Sequence, residues 1–139
     1  MNSALLQQLV DEWSPKLGLA SWDIRVSDAP PDDGSRANTD IWWSHSAAKI
    51  RVDANCPDDA LVHVAIHEML HIVLSPLELA WKSVTSSRLS SSEGQIIKDA
   101  YENAEEPIIN QLTRTLAGIP TFDWANDDWS KTFPVVKAG

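Results

Sequence analysis

The sequence predicts an α+β domain in which a small, mostly antiparallel sheet packs on a buried helix and on a second helix that follows it. Two observations indicate this class. Short segments between residues 22 and 52 alternate apolar and polar residues, as half-buried strands do. They precede residues 60–74, which are apolar almost all round a helix and are therefore expected to lie at the centre of the domain.

The first predicted element is an N-terminal helix over residues 3–14. Ser3 is a candidate N-cap, and apolar residues recur at helical spacing from Leu5 to Trp13. Pro15 then interrupts the pattern. We expect this helix to pack one apolar face on the core.

Three short strands are predicted next. In "SWDIRV", residues 21–26, every second residue is apolar, and the proline, aspartate and glycine residues of "APPDDGS" then favour a turn. Two further strands are expected at residues 40–43 and 47–52, joined by a turn at residues 44–46.

The C-terminal half is predicted to be helical. Asp58 and Asp59 favour the start of the central helix, because negative charge suits the N-terminal end of the helix dipole. Pro76 is expected to end or kink this helix, with a short helical piece after it. The serine-rich residues 83–92 predict a mobile loop, and residues 93–116 predict a second amphipathic helix.

Length and composition indicate one domain with a short tail. The chain of 139 residues is long enough to bury a modest core, and residues 1–119 hold all the predicted elements. Residues 120–139 mix aromatic and acidic residues without a clear period. They are expected to form a C-terminal tail that packs on the domain or is partly mobile.

Charge and cysteine content limit the classes of partner and compartment. The formal net charge is −9, with 20 acidic against 11 basic residues, and such a surface repels the phosphate backbone of nucleic acids. No apolar run reaches the roughly 18 residues of a membrane span, and the N-terminus lacks a signal-peptide pattern. The single cysteine, Cys56, cannot form an internal disulfide, which agrees with a reducing compartment, and the chain is expected to be cytoplasmic. From its charge and its short apolar runs, we expect neither nucleic acid nor a membrane as a partner.

The central helix carries a motif with a chemical signature, "HEMLH" at residues 67–71. Residues four apart lie on one face of a helix, so His67 and His71 can direct ring nitrogens at one zinc ion. Glu68 lies about 100° further round, where it suits a general base acting on a water bound to the zinc. Without a metal, these polar side chains would each need a separate partner inside an apolar helix.

A catalytic zinc ion needs a third protein ligand, and the last helix offers three acids in "YENAEEPIINQL". Glu105 falls in the middle of the apolar stripe of this helix, where a carboxylate needs a partner, and it is the expected ligand. Glu102, at the edge of the stripe, is the alternative. Glu106 is expected to point further away.

Several segments together resemble a known group of proteins. These segments are "WDIRV" at residues 22–26, "AKIRVD" within residues 47–53, "HEMLHIVL" at residues 67–74 and "EEPIINQLTRTL" at residues 105–116. They resemble the small zinc metallopeptidases encoded in tailed-bacteriophage genomes and, more distantly, the SprT-like and minimal gluzincin proteases. The "HEMLH" pentapeptide, which matches H-E-x-x-H, is the sharp motif in this resemblance.

The resemblance implies a minimal zincin-like fold. In this fold an edge strand, expected at residues 47–52, lies above the active-site helix and can pair with an extended peptide. Gluzincins are similar in carrying a ligand glutamate on a later helix, often with an acid four residues after it. Glu102 and Glu106 match that spacing. Glu106 would then accept a hydrogen bond from the ring nitrogen of a ligand histidine that does not bind the metal. The basic, cysteine-rich DNA-binding module of SprT-like proteins has no counterpart in this acidic sequence.

Motif and resemblance together predict a zinc-dependent metallopeptidase, a hydrolase that cleaves peptide bonds through a Zn²⁺-bound water with Glu68 as general base. The expected metal ligands are His67, His71 and Glu105. The expected partner is a protein or peptide substrate, met in the host-cell cytoplasm if a phage encodes the chain. The alternative is a non-catalytic phage protein that keeps the zincin fold and acts by binding a protein partner.

Overall fold

The computed structural model describes residues 1–118, which form three α-helices and one three-stranded sheet. The predicted α+β class is thereby confirmed. The predicted C-terminal tail, residues 120–139, lies outside the described residues. In chain order the elements are α1 (Ser3–Lys16), β1 (Asp23–Val26), β2 (Ala37–Trp42), β3 (Ala47–Val52), α2 (Leu61–Arg88) and α3 (Ser91–Ala117).

The sheet is mixed rather than mostly antiparallel, which corrects the prediction. Its strand order is β1-β3-β2, with β3 parallel to β1 and antiparallel to β2. Residues 47–52 therefore form the central strand and not the expected edge strand. The alternating pattern of β3 buries Ala48, Ile50 and Val52. Because central and edge strands over one core share this pattern, the sequence could not tell them apart.

The two edges of the sheet differ in what covers them. At the β1 edge, Gln7 of α1 donates from Nε2 to the carbonyl of Ile24 at 3.0 Å and accepts from the amide of Val26 at 2.8 Å. One side chain thus occupies the backbone groups to which another strand would pair. Within residues 1–118 no strand pairs with the outer edge of β2.

Helix α2 is the centre of the structure, because α1, α3 and β2 all pack against it. Every residue from His63 to Leu70 is buried. The main core lies between this helix, α1 and the sheet, and it includes Leu6 and Ile50. A smaller cluster joins α2 to α3 and consists of Ile66, Leu70 and Ile109 with partly buried neighbours.

The predicted end of the helix at Pro76 is wrong, since α2 continues as one helix to Arg88. A proline has no N–H, so Pro76 cannot donate to the carbonyl of Ile72 one turn earlier. The hydroxyl of buried Ser75 donates to that same carbonyl at 2.6 Å. Ser75 therefore replaces the backbone hydrogen bond that Pro76 removes.

The predicted mobile loop over residues 83–92 is also wrong, because these serines belong to the ends of two helices. Two residues separate α2 from α3. The hydroxyl of Ser87 donates to the carbonyl of Ser83 at 2.9 Å, as serines in helices often do. Ser90 caps α3 and forms a capping box with Glu93. The serine content thus reflects helix termini rather than flexibility.

One helix within the described residues, Asp58–Arg88, is long and apolar enough to cross a membrane. However, 67% of its apolar window is buried inside the domain. The central helix of a folded domain meets the same criteria of length and composition. The apolar character of this segment is therefore explained by the core.

Removing the Ile50 side chain should be costly, because it is fully buried in the middle of β3. We expect Ile50→Ala to lower the free energy of unfolding by about 2–5 kcal/mol. Ile96→Ala is the matched control, since that side chain is 67% exposed, and it should change the value by less than about 0.5 kcal/mol. Chemical denaturation followed by circular dichroism measures both. Equal effects would contradict the assigned core.

Ser75→Ala should leave the buried carbonyl of Ile72 without its donor. We expect the free energy of unfolding to fall by about 1–3 kcal/mol, although alanine is the better helix former. Ser87→Ala is the control, because the Ser87 hydroxyl is exposed, and it should be neutral or slightly stabilising. Denaturation curves showing the same small effect for both variants would refute the proposed role of Ser75.

Candidate metal centre

Three polar side chains of α2 converge at one side of the helix. His67 and His71 are one turn apart, and their ring centroids are separated by 5.1 Å. Glu68 lies beside them, and ligand atoms of the three residues all fall within 4.8 Å of one another. His67 and Glu68 are each 3% exposed, whereas His71 is partly exposed. The structure therefore brings the residues of the predicted motif together.

Helix α3 adds two adjacent carboxylates that contact the histidines in different ways. Glu106 faces both rings, with its oxygens 3.5 Å from Nε2 of His67 and 3.0 Å from Nε2 of His71. Nδ1 of His71 instead donates to Oε1 of Glu105 at 2.5 Å. The two glutamates therefore contact different nitrogens of the same imidazole ring.

These contacts change the protonation of the cluster. Burial lowers the pKa of His71, but hydrogen bonds with Glu105 and Glu106 outweigh burial and raise this pKa to about 10. Hydrogen bonds with His67 and His71 keep the pKa of Glu106 well below its ordinary value. Burial raises the pKa of Glu105, yet hydrogen bonds with His71 and Tyr101 lower it overall. The cluster thus favours a protonated His71 between two ionised carboxylates, and a metal ion that binds His71 would have to displace a proton from the ring.

The donor set fits a divalent cation of the zinc type. Imidazole nitrogens and carboxylate oxygens bind zinc at about 2.0–2.2 Å, and two ligand atoms of one tetrahedral ion then lie about 3.3 Å apart. Glu106 presents a different oxygen to each histidine, Oε1 at 3.0 Å from Nε2 of His71 and Oε2 at 3.5 Å from Nε2 of His67, and both distances are close to this value. His67, His71 and Glu106 could therefore hold one ion, while Glu105 orients the His71 ring from outside.

Strand β2 contributes a residue that the sequence analysis missed. Thr39 donates from Oγ1 to Oε2 of Glu68 at 2.5 Å. The predicted strand starts at Asp40, whereas β2 begins at Ala37, so Thr39 fell outside the prediction. In the sequence Thr39 alternates with the apolar residues Ala37 and Ile41. This spacing could have indicated that Thr39 shares their face of the strand, because every second residue of a strand lies on one face.

The cluster opens into a cleft between β2 on one side and helices α2 and α3 on the other. The cleft has a volume of about 670 Å³, and its walls include Arg36, Thr39 and His71. A second pocket of about 480 Å³ adjoins it beyond His71 and contains Trp81 and Tyr101. The rings of these two residues are 5.6 Å apart. The cleft reaches both His67 and His71 and the second pocket reaches His71, so a bound molecule could contact the cluster directly.

Glu102, the alternative ligand of the sequence analysis, is not among the residues whose ligand atoms cluster at the histidines. The Glu102 side chain is 59% exposed and lies 3.9 Å from Lys98, although it lines the cleft. His63, one turn before His67, is fully buried. Burial, together with the charges of His67 and Arg114, lowers the pKa of His63 to about 3. His63 is therefore a neutral residue of the helix interior.

Comparison with known proteins adds no relative to this site. No protein-family profile matches the chain, and no curated sequence or solved structure is significantly similar to it. The resemblance to phage metallopeptidases and SprT-like proteins therefore stays a prediction from sequence motifs.

Proposed function

We propose that the protein is a zinc-dependent metallopeptidase with its catalytic site in the cleft between β2 and helices α2 and α3. The observation that carries this proposal is the position of Glu106 opposite Nε2 of both His67 and His71, with Glu68 beside them. Two imidazoles and one carboxylate form a common ligand set of catalytic zinc, which keeps a fourth position open. A structural zinc site normally uses four protein ligands, often cysteines, and this chain has one cysteine.

We assign His67, His71 and Glu106 as the ligands, with Glu106 in the role that the sequence analysis gave to Glu105. Glu105 is 11% exposed and contacts the outer nitrogen of His71, whereas Glu106 is 46% exposed and faces the cleft. The buried face of α3 carries Ile109 and Thr113, whereas most of the predicted apolar stripe is 40–50% exposed. A catalytic metal must also be reached by substrate, so a ligand at the edge of the buried face suits it better.

Zinc in this site would polarise the substrate carbonyl and lower the pKa of the attacking water towards 7. Glu68 would accept a proton from that water and pass it to the leaving amine. Because Glu68 is 3% exposed, its carboxylate is shielded from bulk solvent. Glu105 would hold the His71 ring in the orientation that directs Nε2 towards Glu106.

An extended polypeptide is the substrate class that fits the cleft. Strand β2 forms one wall, and within residues 1–118 its outer edge is unpaired. A peptide could add to this edge as a further strand, as peptides do in strand-addition complexes. Its carbonyl groups would then pass close to Glu68, because Thr39 of the same strand touches that residue. The adjoining pocket at Trp81 and Tyr101 could take an apolar or aromatic side chain.

Zinc affinity should rank the three glutamates of α3. Glu106→Gln should weaken binding by more than about 100-fold because it removes a ligand, and Glu105→Gln by about 10–100-fold because it removes an outer partner of His71. Glu102→Gln removes the same charge from an exposed position of the cleft and should change affinity by less than about threefold. Competition with a chromophoric chelator measures all three. A larger loss for Glu105→Gln than for Glu106→Gln would return the ligand role to Glu105.

Zinc content and turnover together test the proposed activity. Wild-type protein purified without a metal-affinity tag should contain one zinc ion per chain, and His67→Ala should lose it. Glu68→Gln should keep the zinc and reduce hydrolysis of fluorescently labelled, unfolded casein by about 10²–10⁴-fold, because only the general base is removed. Zinc-loaded wild type that cleaves no polypeptide would contradict the proposal. The alternative of a zincin-like protein that acts by binding a partner would then be favoured.

A further inference from the structure

We propose that Thr39 is a positioning residue that holds the carboxylate of Glu68 from the edge strand of the sheet. The catalytic consequence rests on the proposed function, whereas the contact itself is a property of the fold. Thr39 Oγ1 donates to Oε2 of Glu68 at 2.5 Å. Both residues line the same cleft. The hydrogen bond joins two elements that are far apart in sequence, β2 and α2.

Packing alone does not explain a threonine at this position. On the same face of β2, Ala37 and Ile41 are apolar, and the cross-strand partner of Thr39 is the fully buried Ile50. Valine differs from threonine by a methyl group in place of the hydroxyl, and it would suit this face of a strand equally well. The hydroxyl of Thr39 is therefore explained by its acceptor, Glu68, rather than by the core.

The hydrogen bond restricts Glu68 in the way that a general base requires. A glutamate side chain has several rotatable bonds, and its carboxylate has to meet the attacking water at hydrogen-bond distance. The hydrogen bond from Thr39 occupies Oε2 of Glu68, so Oε1 can accept a proton from the attacking water. Hydrogen bonds to an ionised acceptor are stronger than neutral ones. Because Glu68 is only 3% exposed, few solvent molecules compete with Thr39 for its carboxylate.

The same strand would then hold the base and bind the substrate. Side chains of a strand stand out of the sheet, whereas its backbone groups lie in the plane of the sheet. Thr39 can therefore hold Glu68 while the outer backbone groups of β2 pair with a peptide. Strand β2 alone would then set the distance between the scissile bond and Glu68. A strand fixes such a distance more precisely than a loop does.

A double-mutant cycle tests the contact independently of activity. We would denature the full chain in the presence of a chelator, so that zinc affinity does not enter the unfolding equilibrium. Thr39→Val should raise the unfolding equilibrium constant about tenfold, because it removes a hydrogen bond to a charged group. In the Glu68→Ala background the same change should have less than about a twofold effect, since the acceptor is already gone. Equal effects in the two backgrounds would overturn the proposal.

Kinetics on the zinc-loaded enzyme test the positioning role. Thr39→Val should lower kcat for labelled casein about 10–100-fold, with zinc content and KM unchanged, because the base is present but not fixed. Thr39→Ser keeps the hydroxyl and should restore kcat to within about threefold of wild type. An unchanged kcat in Thr39→Val would refute the role. If zinc-loaded wild type cleaves nothing, the proposed function fails, while the cycle still decides whether Thr39 holds Glu68.

Discussion

The arrangement of the domain depends on the burial of ionisable side chains inside α2. From His63 to Leu70 this helix is buried on every side, and polar groups in such surroundings are costly unless they are paired. Glu106 of α3 faces His67, and Thr39 of β2 donates to Glu68. The elements on either side of the helix thus supply polar partners as well as apolar contacts.

Polar contacts as well as apolar ones join α2 to α3. The apolar cluster of Ile66, Leu70 and Ile109 joins the two helices, but apolar contacts are not directional. The hydrogen bond from Nδ1 of His71 to Oε1 of Glu105 is directional and links the two helices at one point. A site that needs sub-ångström placement of ligands therefore shares its geometry with the helix packing itself.

Features that depend on local sequence were predictable, whereas features that depend on pairing between elements were not. Alternation located β3 at residues 47–52, yet it carries no information about which strands lie beside it. Pro76 was expected to end or kink α2, but the helix continues past it, and another donor, Ser75, reaches the carbonyl that the proline leaves without its backbone partner. The motif identified His67, Glu68 and His71 as a group. The helical wheel of α3 placed the buried face on a stripe that includes Ile108 and Leu112, which are exposed in the structure, and Glu105 was therefore preferred to Glu106.

Anomalous diffraction at the zinc absorption edge, from crystals of the zinc-loaded protein, is the most direct test of the proposed centre. We expect one anomalous peak about 2.0–2.2 Å from Nε2 of His67, Nε2 of His71 and a carboxylate oxygen of Glu106. Glu105 should remain on Nδ1 of His71. A peak bound by Glu105 in place of Glu106 would contradict the ligand assignment. A peak elsewhere in the molecule, with this cluster unchanged, would contradict the site itself.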